Sequence, residues 1–238
     1  MPTLSVIIPV YNEQATVGPI VQRVLAAQLP DAIGLDIVLV DDGSTDASWQ
    51  RMTELLDATW PPRANVRLFR QPANRGKGAA IRRALTEVVG DWVIIQDADL
   101  EYDPADYATL LGPILAGRAD VVYGSRFARR RGRPIGKVVH YLANKTLTML
   151  SNLMTGLRLT DMETCYKLLS RRVVAGLRIA SDRFQVEPEI TARIARAGWR
   201  IIEVPISYRG RDRAAGKKIS WVDGLQAIWT ILQYRFFR

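Results

Sequence analysis

The sequence predicts an α/β protein with a mostly parallel sheet and helices on both faces. Apolar β-branched runs alternate with segments of helical periodicity, and three of those runs stop abruptly at polar or acidic residues. Residues 4–10 read as a strand ended by Tyr11, Asn12 and Glu13, and residues 15–27 then place Val17, Ile20, Val21, Val24 and Leu25 at helical spacing. Residues 37–40 repeat the strand and stop at Asp41, Asp42 and Gly43, before a helix over 47–56. A third strand covers 66–69, and Arg75, Gly76, Lys77 and Gly78 open a helix to about 89. Residues 92–96 form the next strand, 104–116 a helix opened by Asp103 and Pro104, and 120–123 a further strand.

Beyond residue 124 the pattern changes. Six basic residues fall within a dozen positions, Arg126, Arg129, Arg130, Arg131, Arg133 and Lys137, and make a cationic loop. Residues 135–155 are amphipathic, as in a helix that packs on the sheet or lies on lipid. Residues 160–170 read as loop and strand, 186–197 as a helix and 199–206 as a closing strand. Five more cations follow within 208–218, at Arg209, Arg211, Arg213, Lys217 and Lys218. The tail, 220–238, reads as a helix with Trp221, Leu225, Ile228, Trp229, Leu232 and Phe236 on one stripe, suited to docking on the core or to a membrane interface. The expected division is a main domain over 1–218 and a C-terminal amphipathic helix over 219–238.

Chemistry concentrates at the stretch WVIIQDADLEYD, residues 92–103, where three carboxylates, Asp97, Asp99 and Glu101, occupy five positions after a buried strand. Hard oxygen ligands at the mouth of a sheet suit Mg²⁺ or Mn²⁺ with substrate phosphates; the plain alternative is a solvated turn. Ligands of open α/β sheets sit beyond the carboxyl ends of the strands, where residues 11–13, Asp41–Asp42 and Asp97–Asp99 all fall. The glycines at 76 and 78 either let backbone amides approach a phosphate, with Arg75 and Lys77 adding charge, or simply start a helix. Neither a P-loop nor a dinucleotide fingerprint is present.

Composition narrows the classes. A chain of 238 residues that is 48% hydrophobic can bury one sizeable core. Its net charge of +9 attracts phosphates, anionic lipid or nucleic acid. The cations gather in two loops beside an acidic crevice that would repel a nucleic-acid backbone, and no nucleic-acid module is recognisable, so nucleic acid is not the expected partner. One cysteine, Cys165, rules out an internal disulfide, and one histidine, His140, argues against a histidine-built metal site or triad. The reading is a reducing, cytoplasmic compartment; the first residues carry no secretory signal, and no uncharged stretch reaches the length of about 18 residues that a membrane span needs.

Taken together and in order, SVIIPVYNE, VDDGSTD, RGKGAA, QDADLEYDP, GSR and VPISYRGR resemble a family 2 glycosyltransferase of the GT-A fold, a Rossmann-like architecture. Within that family they are most similar to the single-domain polyprenyl-phosphate (dolichol-phosphate) mannosyl and glucosyl synthases. The resemblance implies a nucleotide-sugar donor, GDP-mannose or UDP-glucose, a divalent metal, an inverting transfer and a site peripheral on the cytoplasmic membrane face. It implies metal binding by Asp97, Asp99 and Glu101, the last standing where many relatives have glutamine. Pro9, Tyr11, Glu13 and Asp42 match donor nucleotide positions, alongside Asp97 and Lys77. Arg126, Arg133 and Arg211 match the acceptor-phosphate region, so that Asp99, Arg126 and Arg211 are the expected catalytic set. The long hydrophobic C-terminal extension of some relatives has no counterpart in the sequence.

The chemistry is consistent with that reading. A phosphate monoester is already anionic near neutral pH, so it needs neutralisation and in-line positioning rather than a base. A hydroxyl acceptor would need one, for which Asp161, Glu163, Glu187 and Glu189 are the candidates.

Overall fold

Seven strands form one sheet: β1 (Thr3–Val10), β2 (Gly34–Asp41), β3 (Ala64–Arg70), β4 (Trp92–Ile95), β5 (Val121–Ser125), β6 (Lys167–Ser170) and β7 (Ile201–Pro205). Their spatial order is β3-β2-β1-β4-β6-β5-β7, and only β6 runs antiparallel to its neighbours. The computed structural model describes residues 1–30, 33–128, 138–210 and 221–237, and of 138–140 and 221–223 the backbone alone.

Parallel strands covered on both faces must be apolar on both faces. β2 is buried throughout, and β1 nearly so. The helices that supply the cover are α1 (Val17–Ala26), α2 (Ser48–Glu54), α3 (Lys77–Leu85), α4 (Tyr107–Leu115), α5 (Val138–Thr155), α6 (Arg171–Gly176), α7 (Val186–Arg196) and α8 (Trp221–Phe236). α1 buries Val17, Ile20, Val21, Val24 and Leu25, the stripe expected from its spacing. The short α6 has no counterpart in the sequence reading. It begins directly where β6 ends and buries only Val173, too little to leave a periodic signal.

β1 lies between β2 and β4, so the chain leaves β1 first toward one side of the sheet and later returns on the other. That reversal opens a crevice beyond the carboxyl ends of β1 and β4. Because β6 is antiparallel, the segment that enters it, 160–167, reaches the same edge of the sheet.

Two helices leave large apolar residues uncovered. On α8 the buried residues are Ala227, Thr230, Ile231 and Tyr234, whereas Leu225, Trp229 and Phe236 of the expected stripe are 56%, 60% and 64% exposed. The packing against α5 and α7 falls to the buried residues Ala227, Thr230, Ile231 and Tyr234, so these three members of the stripe are not docked on the core. α5 likewise leaves Leu142, Met149 and Leu153 exposed. Among the described residues no helix is long and apolar enough to cross a membrane.

Candidate active site

The turn after β4 is held from behind. Gln96 is fully buried; its Oε1 accepts hydrogen bonds from the hydroxyls of Tyr107 and Tyr166, both at 2.7 Å, and its Nε2 donates to the Asp97 carbonyl at 3.0 Å. Asp97 therefore leaves a rigid strand end and keeps its side chain partly exposed. Lys77, the first residue of α3, reaches across and places Nζ 2.8 Å from Asp97 and 2.9 Å from Glu187. Burial works against the Lys77 charge, but the two carboxylates outweigh it and hold the ammonium well above its ordinary range.

Glu187 is in turn paired with Lys167, whose fully buried ammonium also donates to the carbonyls of Met162 and Thr164. Burial opposes the Glu187 charge; Lys167 and Lys77 outweigh it and hold the carboxyl below the usual range. The result is a chain of alternating charge, Asp97–Lys77–Glu187–Lys167, running from the partly exposed Asp97 to the fully buried Lys167 with no isolated ion in it.

Leu100 has φ of +64°, a left-handed conformation uncommon for a side chain of its kind. It turns the chain between Asp99 and Glu101. The Asp99 Oδ1 accepts the Glu101 N–H at 3.1 Å, while the Glu101 carboxylate accepts the Tyr208 hydroxyl. The three acids consequently do not converge: among the described residues no group of three or more His, Cys, Asp and Glu side chains could hold a metal. Asp97 and Asp99 remain two hard-oxygen donors at the crevice, which fits Mg²⁺ or Mn²⁺ held by one or two carboxylates plus phosphates. Glu101 instead helps tie in the segment that precedes the second basic loop, since Tyr102 and Tyr208 form a β-bridge and Arg209 N–H donates to the Glu101 carbonyl.

Arg126 lies at the end of β5 and forms a bidentate pair with Asp161, Nε to Oδ2 and Nη2 to Oδ1, both 2.7 Å. Its guanidinium also lies 5.2 Å from the Tyr208 ring centroid. Glu203 of β7 anchors the partner segment by accepting the N–H groups of Thr160 and Asp161. Arg133 and Arg211, the other expected acceptor ligands, lie outside the described residues.

On the expected donor side, Pro9 sits on β1 beside Val40 of β2, with Tyr11 and Glu13 just beyond the end of β1. Glu13 accepts the Thr16 hydroxyl at 2.7 Å. Asp42 takes four donors from one segment: Gln71 Nε2 at 2.6 Å, Asn74 Nδ2 at 3.1 Å, Arg75 N–H at 2.9 Å and Gly76 N–H at 2.7 Å. Burial raises its carboxyl above the usual range despite those backbone donors. The glycines are crowded by chain: a Cβ on Gly78 would stand 2.2 Å from the Ser181 carbonyl oxygen, and one on Gly76, at φ +107°, 2.5 Å from that of Asp182. Of the two roles open for them, the helix start is seen, since α3 begins at Lys77, and the missing side chains also let 181–182 pack close.

The four candidate bases are unequal. Asp161, Glu187 and Glu189 are each ion-paired. Glu163 has a buried Oε1 with no hydrogen-bond partner, and burial, reinforced by Glu187, pushes its carboxyl up to about 7. Residues that sequence reasoning passed over are Gln96, Lys167, Glu203 and Tyr208; Gln96, inside QDADLEYDP, and Tyr208, inside VPISYRGR, lay in motifs that could have flagged them.

Residues 5–177 match the sequence model of glycosyl transferase family 2. The chain belongs to that family. This family 2 glycosyltransferase is 27% identical over 214 residues to dodecaprenyl-phosphate galacturonate synthase of Rhizobium johnstonii, covering 90% of this chain and 61% of that protein. It is 28% identical over 227 residues to dolichol-phosphate mannosyltransferase of Pyrococcus furiosus, covering 91% and 60%. The chain thus spans about three-fifths of the length of these curated relatives. Among solved structures it superposes on glucosyl-3-phosphoglycerate synthase of Mycobacterium tuberculosis, in complex with Mn²⁺, UDP and phosphoglyceric acid, with a TM-score of 0.71 and 21% identity, covering 100% of this chain and 80% of that one. The likeness establishes the GT-A fold.

Proposed function

We propose that the protein transfers a hexose, mannose or glucose, from GDP-mannose or UDP-glucose to a polyprenyl phosphate at the cytoplasmic membrane face. One observation carries this reading: the site neutralises charge and is poorly equipped to remove protons. Three of its four candidate bases are locked in ion pairs, and the same pairs fix the positive charges of Lys77 and Arg126 at the crevice. Both curated relatives named above act, by name, on polyprenyl phosphates.

In the proposed reaction an acceptor phosphate oxygen attacks the anomeric carbon from the face opposite the donor diphosphate. The new C1–O bond forms as the old one breaks, and the nucleoside diphosphate leaves with the bonding pair, turning an α-linked donor into a β-linked product. Asp97 and Asp99 would hold Mg²⁺ or Mn²⁺, which supplies charge neutralisation at the leaving diphosphate. Lys77 adds a fixed positive charge beside Asp97, pre-oriented by Glu187. Arg126, with Arg133 and Arg211, receives the acceptor phosphate, and Pro9, Tyr11, Glu13 and Asp42 shape the nucleotide side. The uncovered apolar stripes of α5 and α8, with Trp229 and Phe236 near Arg235, lie against lipid and bring the site to its membrane-bound acceptor.

A second reading, a hydroxyl acceptor, is favoured by Glu163 alone, whose carboxyl titrates near 7. Incubation with Mn²⁺ or Mg²⁺, each donor in turn and a polyprenyl phosphate, with mass detection of glycolipid, tests the leading reading. Product from one donor establishes reaction and sugar together. Donor hydrolysis without glycolipid sends the assignment to hydroxyl acceptors.

A further inference from the structure

Glu189 lies two residues from Glu187 on α7 and points to different partners. It is fully buried, and its two carboxylate oxygens accept the N–H groups of Ala180 at 2.8 Å and Ser181 at 2.7 Å. Oε1 also accepts Arg193 Nε at 2.8 Å and the hydroxyl of Tyr234, which belongs to α8. Arg193 Nη2 closes the cluster on the same hydroxyl at 3.0 Å. A second link, Gln185 Nε2 to Gln226 Oε1, joins the start of α7 to α8.

The segment that Glu189 holds is the one packed on the turn that carries Lys77. Ser181 and Asp182 carbonyls fill the space over Gly78 and Gly76, and the Asp182 carbonyl accepts the Ala79 N–H at 2.9 Å. From the other side Arg82 of α3 grips the segment through the Asp182 carboxylate and the Ala180 carbonyl. Lys77 therefore leaves a turn whose backbone is wedged from above, and its ammonium arrives between Asp97 and Glu187.

We propose that Glu189 is a positioning residue for the donor half of the site: it fixes residues 180–182, hence the 76–78 turn and Lys77, and through Tyr234 makes that placement depend on α8. A carboxylate with two adjacent backbone donors sets a loop's position more tightly than packing alone. This inference rests on the donor reading of Lys77 given above. It assigns α8, whose outer face is uncovered, a part in the donor site that it does not touch.

The test is titration of the purified protein with GDP and with UDP in Mn²⁺, for the parent chain and for Tyr234→Phe, Glu189→Gln and Arg82→Ala. Each variant is expected to bind the preferred nucleotide between about threefold and thirtyfold more weakly, the size of effect usual for residues that act at a distance. Introduced into Lys77→Met, the Tyr234→Phe change should cost nothing further, because its effect runs through Lys77. Tyr234→Phe keeps the ring and Arg82→Ala alters only the surface end of the grip, so a failure of Glu189→Gln to fold leaves two variants to decide. Parent-like affinity in the folded variants, or full additivity with Lys77→Met, would overturn the inference. No binding of either nucleotide to the parent chain would overturn the donor reading and this inference with it.

Discussion

The turns after β2 and β4 look alike in sequence, each an apolar strand followed by two aspartates, yet their carboxylates are held in different ways. Asp42 spends its carboxylate on four donors from residues 71–76, and Asp41 is fully buried beneath Arg70 with Ser44 N–H on its other oxygen. That turn is held by the chain's own donors. Asp97 stays partly exposed, meets the ammonium of Lys77, and shares its turn with Asp99. What separates the two is the kind of donor that reaches the carboxylate: amide and backbone N–H groups of residues 71–76 in one case, the ammonium of Lys77 in the other.

Substitutions can break that contrast. The largest effect is expected at Asp99→Asn: loss of one charged ligand position should lower turnover by about 1,000-fold or more, as removal of a key transition-state contact does, while circular dichroism and melting remain those of the parent. Substantial retained activity would remove Asp99 from the reaction. Lys77→Met should lower turnover about 100-fold and leave Asp97 without its counter-charge, measurable as a steeper dependence of rate on Mn²⁺ concentration. Asp42→Asn should cost about 3 kcal/mol in urea unfolding, because whichever way the amide turns its nitrogen faces one backbone N–H, that of Arg75 or that of Gly76, and one side-chain amide donor.

A smaller effect separates buried acids by pH. Glu163 has its carboxyl raised to about 7, so between the unfolded value near 4.5 and 7 the folded chain binds more protons than the unfolded one. Stability contributed by that proton is present below the lower value and is lost as pH rises toward 7. Melting temperature should therefore fall between pH 5 and pH 7.5, and Glu163→Gln should flatten the fall. An unchanged pH profile in that variant would show that Glu163 is ionised throughout.

Much of this was legible in the sequence for local reasons. The alternation of apolar runs and amphipathic helices through β5 depends on short-range periodicity, and acids at strand exits announce themselves because a sheet's carboxyl edge is where polar side chains can be held. Contacts that span the chain were not legible. Arg126 meets Asp161 across 35 residues, and Lys77 meets Glu187 from a distant helix. Nor could spacing show that Leu100 would turn Glu101 toward Tyr208 instead of toward Asp97 and Asp99. The insertion of β6, antiparallel between β4 and β5, depends on a long return that leaves no periodic mark, and the packed face of α8 mixes Ala227, Thr230 and Tyr234 with Ile231, so it does not follow the stripe of largest apolar residues.

The central claim is that this site neutralises an anionic acceptor and does not deprotonate a neutral one. The measurement that tests it most directly is the turnover of Glu163→Gln with polyprenyl phosphate and the preferred donor. Turnover within about threefold of the parent agrees with the account, since no base is called on; a fall of 100-fold or more in a folded variant, in the range that general-base catalysis contributes, would contradict it by showing that the transfer needs a base.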